Sequence, residues 1–205
     1  MSDPTVGAPQ PITIISNIDS EPAHAEQLGH ICAAWANVEW HMYHLFELLS
    51  GSPPAIARSM FYAIESNRGR REMLLGIARI LFDTQSDVSI LDDILRRIGR
   101  AGTQRNKYVH DTWCVAMTQN HEIFQLRMST PGETGTMQEI TIPDMKDSLA
   151  NIRKLAEELV DFKNRIAPKI PALIETYRKL PGLGLQFAPK GHPPGRKPKG
   201  SRGQP

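Results

Sequence analysis

Apolar residues recur at spacings of three and four through most of this chain, in runs long enough to name the elements they predict. Between Glu21 and Ser50 the series Leu28, Ile31, Trp35, Val38, Met42, Leu45 and Leu49 is a heptad-type seam, which predicts an amphipathic helix. Gly51 supplies its stop, and Ser52 followed by Pro53 and Pro54 supplies the next start, so the first two helices are expected as an antiparallel hairpin. The second, from about Pro54 to Phe82, carries Ile56, Met60, Ile64, Leu74, Ala78 and Leu81, with Gly69 and Gly76 weakening it as a straight rod. A polar break at residues 83–86 leads into a third helix, about Asp87 to Tyr108, whose stripe is Leu91, Ile94, Ile98 and Gly102.

After Trp113 the helical period ceases. Residues 115–128 alternate imperfectly, 130–136 are turn-rich and 137–142 alternate again, which predicts a two-stranded excursion. Thr141 with Asp144 three residues on resembles a capping box and starts a fourth helix with the seam Ile152, Leu155, Leu159, Phe162 and Ile166. Pro168 and Pro171 end or kink it, and a short helix over Ala172 to Leu180 precedes the Pro181-Gly182 stop. The expected fold class is therefore all-α: a four-helix up-and-down bundle with a small β-hairpin inserted between helices three and four. Residues 1–20, with Pro4, Pro9 and Pro11, read as a loose lead-in, 21–180 as the domain, and 181–205 as a Pro/Gly-rich tail that has no core to bury.

Charge changes this picture only at one end. The chain holds 24 basic and 22 acidic side chains, but Lys190, Arg196, Lys197, Lys199 and Arg202 fall in a tail without acids, so the tail is +5 and the rest is −3. Such a tail raises affinity for phosphate backbones or simply keeps the protein in solution. No apolar run approaches the roughly 18 residues of a membrane span, and Met1 to Gln10 has no secretory pattern. Cys32 and Cys114 are the two cysteines and stand far apart, so a cytoplasmic, reducing setting is expected, with no membrane partner.

The chemistry concentrates in Gln104 to Trp113. Continuing the third helix's stripe past Gly102 brings up Arg105, a charge where a leucine is expected. An unpaired charge there costs several kcal/mol, roughly, so Arg105 is paired, held at a cleft mouth, or functional. At about 100° per residue Asn106 and His110 share a face, whereas Arg105 lies roughly 140° from His110. Together they suit RNA cleavage without a cofactor or metal. His110 would move protons to or from a 2′-hydroxyl and a 5′-oxygen, Arg105 would stabilise the pentacoordinate phosphate, and Asn106 would orient it. The alternative is structural, with Arg105 paired to a core acid such as Glu39 and His110 serving as a cation at the helix C-terminus.

Arg68, Arg70, Arg71 and Lys107 are candidate RNA-phosphate contacts, against the plainer reading of a solvated helix face. His41 and His44 beside Glu39 and Glu47 lack the second histidine–carboxylate pair that would complete a di-metal site. Trp35, Trp40 and Trp113 read as core or rim packing, and there is no glycine-rich phosphate loop.

Arg105-Asn106, three intervening residues and His110, at the end of the third long helix, resembles the Arg-x4-His signature of the HEPN superfamily. Ala34 to Glu39 also looks like the first helix of bacterial members. The resemblance covers about Glu21 to Leu180. It implies a four-helix bundle, a homodimer with two motifs across one cleft, and metal-independent endoribonuclease activity in toxin–antitoxin, phage-defence or RNA-processing systems. Arg105, Asn106 and His110 would be its catalytic residues, RNA its substrate, and an antitoxin or other protein its partner. Other members are non-catalytic modules that bind RNA, nucleotide or protein. Where the toxin branch has a tyrosine two residues after the histidine, this chain has Thr112.

Overall fold

The computed structural model describes residue 18 and residues 21–82, 85–115, 123–127 and 136–179. The remainder of the expected lead-in 1–20 and the expected tail 181–205 lie outside the described residues. Among the described residues six helices and three strands run in the order α1 (Pro22–Ser50), α2 (Pro54–Ala63), α3 (Asn67–Leu81), α4 (Gln85–His110), β1 (Thr112–Val115), β2 (Ile123–Arg127), β3 (Thr136–Glu139), α5 (Ile142–Ile166) and α6 (Ile170–Lys179).

The fold is a helical bundle. Its four longest helices close a ring, α1 on α5, α5 on α4, α4 on α3 and α3 on α1, while α2 rests on α1 and α6 on α3. The expected seams face inward: Ile31, Trp35, Val38, Met42, Leu45 and Leu49 of α1 meet Leu91, Ile94 and Ile98 of α4 and Ile152, Leu155, Leu159, Phe162 and Ile166 of α5 in one core. Burial of these side chains, at about 1.5–3 kcal/mol each, is the main stabilising term.

Local stops and starts follow residue chemistry. Gly51 takes the left-handed conformation at φ 58°, ending α1, and Pro54 opens α2. Thr141 and Asp144 form the reciprocal capping box at the start of α5. Pro168 falls in the turn after α5, so α6 starts at Ile170, slightly earlier than the pattern suggests.

Two expectations need correction. The single second helix is two, because Ile64 turns extended at the end of α2 and Ser66 then caps α3, its hydroxyl accepting from the Gly69 N–H at 3.0 Å. The break resets the helical phase. α2 consequently buries Ala57 and Phe61, leaving Ile56 at 54% and Met60 at 49% exposure. The inserted hairpin is instead a three-stranded antiparallel meander, β1-β2-β3, with Thr112 opposite Leu126 and Arg127 opposite Thr136. Its first strand begins two residues after α4, inside the stretch that reads as the helix end.

Candidate functional site

The end of α4 is fixed by its neighbours. Tyr108 is buried and its hydroxyl pairs with Ser148 Oγ of α5 at 3.0 Å. The Trp113 indole N–H of β1 donates to the Tyr108 carbonyl at 2.9 Å, satisfying one of the acceptors a helix C-terminus leaves open. One turn earlier, Gly102 leaves room for Trp35 of α1, whose Cη2 would stand 2.8 Å from a Cβ placed there.

Arg105 therefore follows a tightly packed turn, and it is half-buried. Its Nη1 donates to Asn106 Oδ1 at 3.1 Å, while its Nε is enclosed and has no hydrogen-bond partner among the described residues. The side chain lines a cleft of about 160 Å³ between α4 and α5, together with Arg100, Ala101 and Gln104 from α4 and Ser148, Asn151 and Ile152 from α5. Two guanidinium groups and no carboxylate make its lining formally +2.

Glu39 is not the partner of Arg105. It pairs with Arg70 of α3, Oε1 to Nη1 at 3.4 Å, so the expected core ion pair is corrected to a different arginine. Arg70 is only 12% exposed in its side chain because it also donates to the Ile64 carbonyl at 2.8 Å and stacks over Phe61 and Tyr62 at 5.1 and 5.3 Å. It locks the α2–α3 break, where the carbonyl has no helical acceptor role. Arg71 is likewise engaged, donating to Asn67 Oδ1 at 3.0 Å and to the Leu95 carbonyl of α4 at 3.1 Å over Gly99. Arg68, exposed, pairs with Glu72 at 2.7 Å. The arginine cluster is thus two structural clamps and one surface pair, not an open basic patch, because α3 packs on α1 and α4 just where the cluster sits. Lys107 is half-buried on α4.

Asn106 and His110 are exposed, and His110 makes no hydrogen bond or ion pair among the described residues. Arg105 and Asn106 are brought together; His110 stands beyond them at the last residue of α4 and does not line the Arg105 cleft. Five residues along one helix put the two side chains on different faces, as the helical period requires.

Arg100, Gln104, Ser148 and Asn151 do not stand out in the sequence pattern. The available signal was their helical spacing: Arg100 and Gln104 are one turn apart, and Ser148 and Asn151 flank the seam residue Ile152 on the same side. Pairing the two faces required knowing that α4 lies on α5.

The other polar clusters are separate. His44 Nδ1 lies 3.0 Å from Glu47 Oε2, and the Trp40 ring packs edge-on against His44 at 4.3 Å. His41 instead faces a cleft between α1 and α5 with Asn37, Arg153 and Glu157, and burial first, then Lys163 and His44, lowers its pKa. Among the described residues no group of three His, Cys, Asp or Glu side chains is placed to hold a metal ion, and no helix is long and apolar enough to cross a membrane.

No family model, no curated protein and no solved structure matches this chain.

Proposed function

We propose that the protein is a HEPN-type four-helix-bundle endoribonuclease that cuts RNA without a metal, as a symmetric homodimer in the cytoplasm, within a toxin–antitoxin, phage-defence or RNA-processing system. The observation that carries this reading is Arg105: a guanidinium on a core stripe, coupled to Asn106, with no acid among the described residues to neutralise it, lining a cationic cleft. A charge left in that state is held for an anionic ligand.

In the reaction, His110 accepts the proton of a ribose 2′-hydroxyl. The 2′-oxygen attacks the adjacent phosphorus, and the bond from phosphorus to the 5′-oxygen breaks as that oxygen takes a proton from an imidazolium. The products are a 2′,3′-cyclic phosphate and a 5′-hydroxyl. Arg105 stabilises the charge on the pentacoordinate phosphate, and Asn106 holds the Arg105 head in place. Because His110 and Arg105 diverge within one chain, the reading assigns the facing set to a second copy, whose α4 end lies across the scissile bond.

Purified protein incubated with total RNA in EDTA tests this. Wild type yields fragments ending in cyclic phosphate and His110→Ala does not; intact RNA in both tubes sinks the catalytic assignment.

The exposure of His110, with nothing among the described residues to set its tautomer, favours a second reading: a dimeric module that binds RNA, nucleotide or a partner protein without turnover. Overexpression separates the two, since growth arrest that is lost in Arg105→Ala belongs to the nuclease and not to the module.

A further inference from the structure

We infer that the cleft between α4 and α5 is a phosphate-binding subsite, in which Arg100 and Arg105 supply charge and Gln104, Ser148 and Asn151 supply directed hydrogen bonds. The inference extends the ribonuclease reading and rests on it only for the source of the phosphate, an RNA strand.

Three features of the cleft define its ligand. First, the enclosed Nε–H of Arg105 has no acceptor among the described residues, and a buried donor left unmade is costly. An anion oxygen in the cleft supplies that acceptor. Second, Arg100 reaches the same cleft from one turn above and is paired to no carboxylate among the described residues. The lining thus combines two cations with neutral donors and no acid, which suits a dispersed negative charge on several oxygens. Third, at about 160 Å³ the cleft is smaller than the roughly 300–1,000 Å³ pockets that take whole small molecules. It accommodates an anionic group and leaves the rest of its carrier outside.

Two larger clefts do not share this chemistry. The one between the first half of α4 and the end of α5, about 440 Å³, is lined by Asp93, Glu158 and Asp161, and its Arg97 is bonded to both Asp93 and Glu158. The His41 cleft of about 280 Å³ carries Glu157 and Asp161. Carboxylates in both repel an anion. Asn151 and Ser148 project from the second and third turns of α5, so the site does not depend on a helix N-terminus. The Tyr108 hydroxyl, bonded to Ser148, orients the serine toward or away from the cleft according to which of the two donates.

The test uses the full chain and follows the arginine Nε–H resonances during titration with inorganic phosphate, against chloride at equal ionic strength. Phosphate shifts the Arg105 and Arg100 signals to saturation and chloride does not. Arg100 is exposed and outside the proposed catalytic set, so Arg100→Gln keeps its melting temperature and binds phosphate about tenfold more weakly. Asn151→Asp, which places a carboxylate in the cleft, weakens it at least as much. A parallel arm uses a short 2′-O-methyl RNA that cannot be cut. Shifts of the same two signals by both ligands identify a strand phosphate, and shifts by inorganic phosphate alone identify a free phosphate or monoester. Signals that stay still, or follow chloride equally, overturn the site. His110→Ala retains phosphate binding, and a wild-type protein that binds phosphate in the cleft yet leaves RNA intact tells against the nuclease reading alone.

Discussion

Trp35 of α1 packs its indole directly over Gly102 of α4, so closely that a Cβ at Gly102 would lie 2.8 Å from Cη2 and 3.2 Å from Cζ2 of the ring. This contact brings α1 against the turn that precedes Arg105, and the absent side chain is what allows it. Gly102→Ala therefore overpacks the core by about 1–3 kcal/mol, against a helix-propensity gain of about 1 kcal/mol. The expected net effect is a melting temperature lower by a few degrees. Gly76→Ala in α3 is the control: nothing lies within 4 Å of its added Cβ, so only the propensity gain remains and calorimetry finds that variant more stable than wild type. Trp35→Leu, by shortening the side chain, removes most of the penalty of Gly102→Ala, a coupling visible in a double-mutant cycle.

Arg105→Leu separates function from folding. No carboxylate holds Arg105 among the described residues, and it continues a stripe of Leu91, Ile94 and Ile98, so an aliphatic side chain suits the position. The variant melts within about 2 °C of wild type. On the proposed ribonuclease reading its RNA cleavage falls on the order of 10²–10³-fold, the usual cost of losing one group that stabilises a transition-state oxyanion. A melting temperature many degrees lower with cleavage retained would reinstate a structural role.

The three arginines of α3 are expected to behave differently. Arg70→Ala strips the Ile64 carbonyl and Glu39 of their donor and exposes the faces of Phe61 and Tyr62, a loss on the order of 2–3 kcal/mol. Arg68→Ala removes only an exposed pair with Glu72 and leaves the denaturation curve in place. Filter binding of a labelled RNA to the folded Arg68→Ala protein matches wild type; a large loss there would restore the cluster as an RNA contact.

The bridge between α4 and α5 gives a pH dependence. Hydrogen bonding from Arg97 holds the Glu158 carboxyl below its ordinary value of 4.5, with smaller electrostatic help from Arg97 and Lys154. A carboxyl depressed in the folded state stabilises the fold above the unfolded value, and that contribution disappears as pH falls through the folded value. Urea denaturation should thus show Glu158→Gln less stable than wild type at about pH 7, with the difference closing below about pH 4.5. A gap unchanged by acid assigns the effect to packing.

Where helices begin and end was legible in single residues. Gly51, Pro54 and the Thr141–Asp144 pair act through backbone angles and hydrogen bonds within a few residues, so no distant contact alters them. The break at Ile64 to Ser66 was not, because Ser66 also reads as a tolerable mid-helix residue; what secures the break is Arg70 bonding back to Ile64 with Glu39 of α1 behind it. The strand at Thr112 was hidden for a similar reason. Four residues following a helix carry no alternation strong enough to count, and β1 exists because β2 pairs with it.

Apart from the break between α2 and α3, the sequence by itself determined the amphipathic helices, most of their caps and the position of Arg105, Asn106 and His110 at the end of α4, since periodicity and capping are local properties. Tertiary structure decided which charges are free. Arg70, Arg71 and Arg105 are each half-buried, and the pattern does not say which of them finds a partner. Packing of α3 against α1 and α4 gives the first two Glu39 and the Leu95 carbonyl as partners, while packing of α4 against α5 leaves Arg105 facing a cleft with Arg100 and no acid. A charge is committed to structure or kept for a ligand by the neighbours that other segments bring, and those depend on helix contacts many residues apart.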